Sequence, residues 1–166
     1  MTIRVNIGCG TTPTDGWINF DNSFGIKLAN KPFLYFLAKL FKIINERQIK
    51  NVEWNKKKKI YFADASKKIP LETNSVECVY SSHMLEHLSR EGALIFLSEA
   101  LRILKTEGVL RIAVPDLQMP IESYTKKGDA DEFMESIFVK APPIGSLKEK
   151  LQLIFSGSRH HQWMYD

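Results

Sequence analysis

Five short apolar runs, separated by helical patterns or by turn residues, are the feature that most constrains the fold of this 166-residue chain. The runs have the length of strands, and the helical patterns repeat apolar residues every three or four positions. The predicted strands cover residues 3–7, 17–20, 59–63, 76–80 and 109–114. Strands that alternate with helices favour a parallel α/β sheet with helices on both faces.

Two helices and one short connection follow from the same pattern. One helix is predicted over residues 32–50, and a second begins after Ser89, a good capping residue, and runs through Leu104, with Gly108 marking its end. A parallel crossover usually takes a dozen residues or more, whereas little more than a turn separates the first two strands. Either this crossover is abbreviated or the second strand is misplaced.

Glycine and polar residues follow four of the predicted strands. Gly8 and Gly10 follow the first strand, Asp21 the second, Asp64 the third and residues 81–83 the fourth. Ligands of parallel α/β sheets bind beyond the carboxyl ends of the strands. We therefore expect a ligand site at this edge of the sheet.

The glycine pair does not match the common phosphate-binding loops. A dinucleotide fingerprint needs a third glycine where this chain has Pro13, and Asp21 comes too soon for its ribose-binding acid. No Gly-Lys-Ser or Gly-Lys-Thr follows, as a P-loop requires. The backbone is expected to approach a ligand that is not held by its phosphates, and the alternative is that the glycines serve only a tight turn.

Composition indicates one ordinary domain. The formal net charge is +4, and the run of four lysines at 56–59 is typical of a solvated segment, with attraction to phosphate as the alternative. No apolar stretch is long enough to span a bilayer, and the amino terminus lacks a signal peptide. Cys9 and Cys78 have no metal-like spacing, which favours a reducing, cytoplasmic protein without a metal ion.

Several motifs together carry a family resemblance. "VNIGCG", "GWINFD", "FADASKKIPLETNSVECVYSSHMLEHL" and "EALRILKTEGVLRIAVPDL" resemble the class I S-adenosylmethionine-dependent methyltransferases, especially a small bacterial group associated with sugar and surface-polysaccharide biosynthesis. The resemblance covers residues 5–117, and "HHQWMYD" is an outlying match. It implies a Rossmann-like sheet of five recognisable parallel strands in the order three, two, one, four, five. The family sheet continues past its fifth strand, so this chain is expected to be a fragment or to have a shortened carboxyl end.

This resemblance also implies a division of the chain and a cofactor. A single domain would have its core in residues 1–117, a helical lid or insertion at about 26–54 and an acceptor-side segment at about 118–166. The cofactor would be S-adenosylmethionine, which leaves as S-adenosylhomocysteine. The residues implied to bind it are Asn6, Gly8, Cys9, Gly10, Asp21, Asp64, Ala65, Ser81 and His83.

Each implied binding residue has an expected partner on the cofactor. Gly8, Cys9 and Gly10 would pass their backbone close to the methionine end, and the Asn6 side-chain carbonyl would accept from the ammonium group. Asp21 would accept from both ribose hydroxyls, since a carboxylate has two acceptor oxygens. Asp64 and the Ala65 N–H would meet the adenine. Ser81 and His83 would border the transferring methyl group.

Histidines are the candidate catalytic residues. Methyl transfer is an in-line displacement that depends mainly on alignment, but a hydroxyl acceptor benefits from a base. His83 is the first choice, with a purely structural role as the alternative, and His160 and His161 of the terminal motif are further candidates. Glu86 and His87 are expected to fix the loop through hydrogen bonds to backbone.

The expected acceptor is a small molecule, in particular a hydroxyl of a sugar, a lipid-linked sugar or another surface-glycan precursor. The phenylalanine-rich, basic segment 32–50 is expected to be a lid, with peripheral membrane contact as the alternative. Ser81–Met84 replaces the Asn/Asp-Pro-Pro-aromatic stretch of base-modifying enzymes, so a nucleic-acid substrate is a minor alternative. The other alternative is a non-catalytic domain that binds cofactor or a partner.

The predicted strand 109–114 is almost wholly apolar, so both of its faces are expected to be covered. It is also the edge strand of the predicted order. Its free edge is expected to be covered by residues after Pro115 or by a second copy in a homodimer.

Overall fold

A computed structural model describes residues 2–138 and 160–165 of the chain. Its centre is a sheet of five strands: β1 (Arg4–Ile7), β2 (Ile18–Asp21), β3 (Ile60–Phe62), β4 (Val76–Ser82) and β5 (Leu104–Ala113). All pairings are parallel and the order is β3-β2-β1-β4-β5. The predicted α/β class and strand order are confirmed.

Within the described residues, six α-helices connect and follow the strands. They are α1 (Phe24–Ala29), α2 (Pro32–Leu40), α3 (Glu46–Lys57), α4 (Arg90–Ile103), α5 (Gln118–Lys127) and α6 (Ala130–Ser136). A short 3₁₀ helix, Leu85–His87, follows β4. None of the helices in these described ranges is both long and apolar enough to cross a bilayer.

The prediction of one helix over residues 32–50 is wrong, because the chain breaks it into α2 and α3. Lys42 adopts a left-handed conformation with φ of 51°. Its N–H donates to the Lys39 carbonyl and the Ile43 N–H to the Ala38 carbonyl, which is the Schellman pattern that ends a helix. Asn45 then caps α3 in a reciprocal capping box with Gln48. Local capping therefore overrides the continuous apolar periodicity.

The predicted helix from Ser89 through Leu104 is confirmed to within one residue, but Gly108 does not mark its end. The Ser89 hydroxyl accepts a 3.0 Å hydrogen bond from the Gly92 N–H and caps α4. The helix stops at Ile103 because β5 begins immediately, so Gly108 lies within β5 and does not end the helix. The pairing register between β4 and β5 shifts there, and Glu107 takes a φ of 67° in this bulge.

The connection from β1 to β2 is abbreviated, and the second strand was predicted in the right place. Residues 8–17 form turns without a helix. The buried Asn6 amide nitrogen donates to the Thr12 carbonyl and, at 3.1 Å, to the Thr14 hydroxyl. The Asn19 side-chain oxygen accepts from the Thr14 N–H, and the Asn19 side-chain nitrogen donates to the Thr14 carbonyl. Two buried asparagines thus hold a loop that is too short to contain a helix.

The core lies between the central strands and α4. Val5 and Val79, from adjacent strands, are completely buried, as is Phe96 of α4. The edge strand differs from expectation: Val109 is 57% exposed, and β5 has no buried residue after Leu104. Leu110 and Ile112 pack against the core, whereas the alternating residues Val109 and Arg111 are exposed. Only one face of the strand is covered, so the prediction that both faces are covered is wrong.

Candidate functional site

The two glycines after β1 both require a left-handed backbone, for different reasons. Gly8 has φ of 73°, and a Cβ there would lie 2.7 Å from the Cβ of Met84. Gly10 has φ of 49°, and a Cβ there would meet no atom of the described residues within 4 Å. Packing against Met84 explains Gly8 without a ligand, whereas the space above Gly10 is open.

Asp21 lies at the carboxyl end of β2, directly opposite Gly10. Its Oδ2 accepts a 2.9 Å hydrogen bond from the Gly10 N–H, and its Oδ1 accepts one of 2.8 Å from the Ser23 N–H. Backbone donors from both sides therefore set the direction of the carboxylate. Each oxygen keeps a further lone pair with which it can accept.

Cys9 precedes Gly10 in the chain and has a small, buried side chain. It is 3% exposed and packs with Ile26 and Ile60. Burial, with the Asp21 charge nearby, raises the pKa of the Cys9 thiol to about 12. The buried thiol therefore stays protonated at neutral pH. The Cys9 backbone N–H is directed at the Phe20 carbonyl, 3.1 Å away.

Asp64 follows β3 and has its own partners. Its Oδ1 accepts from the Ser66 hydroxyl at 2.6 Å, and the Lys67 ammonium lies 2.9 Å from its Oδ2. Burial opposes ionisation, but the bonds from Ser66 and Lys67 outweigh it and lower the pKa of the Asp64 carboxyl. The Lys67 side chain is 80% exposed, so this ion pair is easily exchanged for another partner. Ala65 beside it is buried.

After β4 the chain provides one buried and one exposed candidate. Ser81 is 1% exposed, and within the described residues its hydroxyl makes no hydrogen bond. The His83 side chain is 66% exposed and its backbone has φ of 51°. Its N–H donates to the Ala113 carbonyl at the end of β5. A left-handed non-glycine residue is strained and is often found at functional sites.

Glu86 is the buried centre of a group of histidines. Its side chain is 0% exposed, and its Oε1 lies 3.3 Å from His83 Nδ1 and 3.9 Å from His161 Nε2. No hydrogen bond reaches either carboxylate oxygen from residues 2–138 or 160–165. The expectation that Glu86 and His87 fix the loop through hydrogen bonds to backbone is confirmed. Glu86 does so with its backbone carbonyl, which accepts from the Gln162 N–H at 2.7 Å, and His87 with its ring Nδ1.

The terminal segment 160–165 lies against the loop after β4. His87 Nδ1 is 3.0 Å from the His160 carbonyl, and the Gln162 amide donates to the His87 carbonyl at 2.8 Å. Tyr165 forms a parallel bridge with Asp116, just past β5. Burial and the nearby His87 lower the pKa of His161, against the opposing effect of the Glu86 carboxylate.

A cleft of about 320 Å³ opens beside the terminal segment, between α5 and α6. Its wall combines apolar, aromatic and charged groups, among them Met164, Tyr124, Lys127 and Glu132. This size falls within the usual range for small-molecule sites, about 300–1,000 Å³. The cleft lies on the β5 side and does not include the residues around Asp21, so the two form separate parts of one strand-end surface.

Two features of this surface were not predicted: the burial of Glu86 among histidines and the contacts of Asn19 with the loop. Glu86 stands in a helical pattern between two histidines, and only the approach of the terminal segment shows that it is buried among them. Asn19 is an inward residue of β2, and a buried amide in a strand next to a short loop is a signal for loop anchoring.

Comparison with known proteins gives a family match. A family model described as a methyltransferase domain matches residues 5–112. No curated protein has a matching sequence.

Several solved structures are similar to this chain. A SAM-dependent methyltransferase from Archaeoglobus fulgidus is 18% identical with a TM-score of 0.45, over 93% of this chain and 76% of that one. The PH0226 protein from Pyrococcus horikoshii is 14% identical with a TM-score of 0.44, over 87% and 57%. Phosphoethanolamine N-methyltransferase 1 of Haemonchus contortus, solved with phosphoethanolamine and S-adenosylhomocysteine, is 20% identical with a TM-score of 0.40. That match covers 68% of this chain and spans only 22% of the nematode protein.

Proposed function

This chain belongs to the methyltransferase-domain family, and on that premise we propose that it transfers a methyl group from S-adenosylmethionine to a hydroxyl of a small molecule. The acceptor class we propose is a sugar or surface-glycan precursor. The observation that carries the proposal is the Asp21 carboxylate, which the Gly10 and Ser23 N–H groups hold at the end of β2. When bound, the cofactor supplies an electrophilic methyl group.

The residues beyond β1, β2 and β3 fit this cofactor. The open space above Gly10 admits a ligand against the backbone, and Asp21 has acceptor capacity left for two ribose hydroxyls. Asp64, with Ala65, supplies an ionised acceptor for an amino group at the end of β3. The Asn6 nitrogen is used within its own loop, so its part in binding is through the carbonyl oxygen.

We assign the general base to His83. Its exposed ring can accept the hydroxyl proton at Nε2 while the Glu86 carboxylate, 3.3 Å from Nδ1, stabilises the imidazolium that forms. Ser81 contributes a buried hydroxyl at the end of the same strand. We propose that His160 and His161 serve the acceptor, because the terminal segment that carries them contacts the loop after β4.

The cleft between α5 and α6 is our choice for the acceptor. Hydroxyl and charged groups such as Ser123 and Lys127 can bond sugar hydroxyls, and the Tyr124 ring offers a face for a sugar ring. These residues belong to the acceptor-side segment expected from the sequence.

A lipid-linked acceptor is supported by the surface of α2. Phe33 is 70%, Phe36 59% and Leu40 60% exposed, and Phe41 and Ile43 continue this apolar surface past the helix end. Lysines at 31, 39 and 42 accompany it. An apolar face with basic residues suits the surface of an anionic membrane, so we propose peripheral contact there.

The test is calorimetric titration of the chain with S-adenosylmethionine, followed by a methyl-transfer screen over sugar nucleotides, lipid-linked sugars and oligonucleotides. Binding with transfer to a sugar hydroxyl is the expected result. Binding without any transfer would favour the non-catalytic alternative, and transfer to oligonucleotides the nucleic-acid one. Light scattering on the same sample tests whether a second copy covers the exposed edge at β5.

A further inference from the structure

Three potential metal ligands converge where the loop after β4 meets the terminal segment. Glu86 and His87 come from the 3₁₀ helix, and His161 comes from the terminal segment. One ligand atom from each lies within 4.8 Å of the others. We propose that these three side chains bind a divalent transition-metal ion of the Zn²⁺ class.

The state of the Glu86 carboxylate is the first argument. This side chain is 0% exposed, and none of the described residues gives it a hydrogen bond. An isolated buried carboxylate is very costly, and proteins that retain one pair it with a cation or use it to coordinate a metal. The ring nitrogens of His83 and His161 lie 3.3 and 3.9 Å from Oε1, and neither makes a hydrogen bond with it. A divalent cation would compensate this charge.

The orientation of His87 is the second, independent argument. Its Nδ1 lies 3.0 Å from the backbone carbonyl of His160. A carbonyl oxygen only accepts, so Nδ1 must carry the hydrogen and Nε2 has the lone pair. Metal-bound histidines almost always donate their other ring N–H in this way, to a carbonyl or a carboxylate. His87 is therefore already in the tautomer that a metal ligand needs.

The donor set selects the class of ion. Two imidazoles with one carboxylate bind Zn²⁺ and leave a fourth position for water or a substrate oxygen. Mg²⁺ and Ca²⁺ prefer oxygen ligands and are disfavoured here. At bond lengths of about 2.1 Å, tetrahedral ligand atoms lie roughly 3.4 Å apart, so small side-chain rotations close the site. The bound ion would tie the terminal segment to the loop after β4.

The sequence could not show this site. Glu86 and His87 are neighbours in the chain, but the His160 carbonyl that contacts His87 comes 73 positions later, and His161 follows it. This separation is far outside the spacing of metal-ligand motifs. Only the fold brings the third ligand to the pair.

The experiment is titration of the chelator-treated full chain with Zn²⁺ alone, in the absence of S-adenosylmethionine. We expect one ion per chain, and about 100-fold weaker binding or worse in His161→Ala and Glu86→Gln, since loss of even an outer-shell partner costs 10–100-fold. His160→Ala is the matched control, since it removes a neighbouring histidine and keeps the backbone carbonyl that His87 contacts. Titration with Co²⁺ should produce visible absorption bands that His161→Ala abolishes.

Absence of stoichiometric Zn²⁺ binding by the wild-type chain would overturn the proposal, as would equal weakening in His160→Ala and His161→Ala. Tighter binding of Mg²⁺ than of Zn²⁺ would contradict the imidazole ligands. If Glu86→Gln does not fold, as judged by circular dichroism, His161→Ala and His87→Ala decide the question. Because the measurement needs neither cofactor nor turnover, it is independent of the proposed methyl transfer.

Discussion

The Gly10 N–H donates a 2.9 Å hydrogen bond to Oδ2 of Asp21 and so joins the loop after β1 to the end of β2. The same carboxylate accepts from the Ser23 N–H through Oδ1. These bonds orient the carboxylate before any ligand arrives, and a preorganised group binds with less loss of freedom. The glycine and the acid therefore act as one unit.

Gly10→Val should abolish binding of S-adenosylmethionine while leaving the protein folded. The side chain would enter the open space where we propose that the cofactor passes the backbone. Gly16→Val is the matched control, because Gly16 also has a left-handed φ, and a Cβ added there would meet no atom within 4 Å. Both changes add similar backbone strain, of about 1–2 kcal/mol. Calorimetry on the two variants checks this, and equal affinities would contradict close approach at Gly10.

His83→Asn should slow methyl transfer by roughly 100-fold or more and leave cofactor affinity within a few fold. Asparagine tolerates the left-handed backbone that His83 adopts, so the loop geometry is kept. The measurement is kcat from steady-state kinetics together with the dissociation constant of the cofactor. An unchanged kcat would return His83 to a structural role.

Cys9 should resist alkylation in the folded protein, whereas Cys78 reacts. The thiolate is the reactive form, and with a pKa of about 12 only about one Cys9 thiol in 10,000 is ionised at pH 8. Because folding raises the pKa of the Cys9 thiol from 9.0 to about 12, the protonated thiol contributes to the stability of the folded protein. This contribution is fully present below pH 9 and is lost as the pH rises towards 12. Iodoacetamide labelling of Cys78→Ser at pH 8, with and without urea, isolates Cys9. Rapid labelling without urea would contradict the buried, neutral thiol.

Removing the apolar surface of α2 should weaken binding to anionic vesicles. Phe33→Ser with Phe36→Ser takes away two rings that are 70% and 59% exposed, so the fold should not change. Leu94→Ser with Leu101→Ser is the control, since both leucines are exposed on α4. Cosedimentation with phosphatidylserine vesicles measures the effect. If neither the wild type nor the control binds the vesicles, the proposed contact of the α2 surface with a membrane is contradicted.

The sheet could be predicted from the sequence because its signals are local and agree with one another. Each strand is a short apolar run, and Gly8, Asp21, Asp64 and Ser81 follow four of them at one edge. The break after α2 escaped prediction because a lysine, Lys42, takes the left-handed position that glycine usually marks. β5 begins earlier than predicted because it follows α4 without an intervening loop.

The cofactor side of the site was more predictable than the catalytic side, for a physical reason. Asp21 and Gly10 each follow a strand, so topology alone brings them together. Glu86 meets His161 only through tertiary packing of the terminal segment, which no periodicity encodes. The hydrogen bonds of Asn6 within its own loop were likewise invisible, because they depend on how the turn at residues 8–17 closes.

Titration with S-adenosylmethionine of the wild-type chain, Asp21→Ala and Asp15→Ala tests the central claim most directly. Asp15 is an exposed acid in the loop that leads to β2, so its replacement controls for loss of one negative charge. Loss of hydrogen bonds to a charged group predicts weaker binding by about 2 kcal/mol, roughly 30-fold, in Asp21→Ala alone. An Asp21→Ala protein that is folded and binds the cofactor as tightly as the wild type would contradict the account.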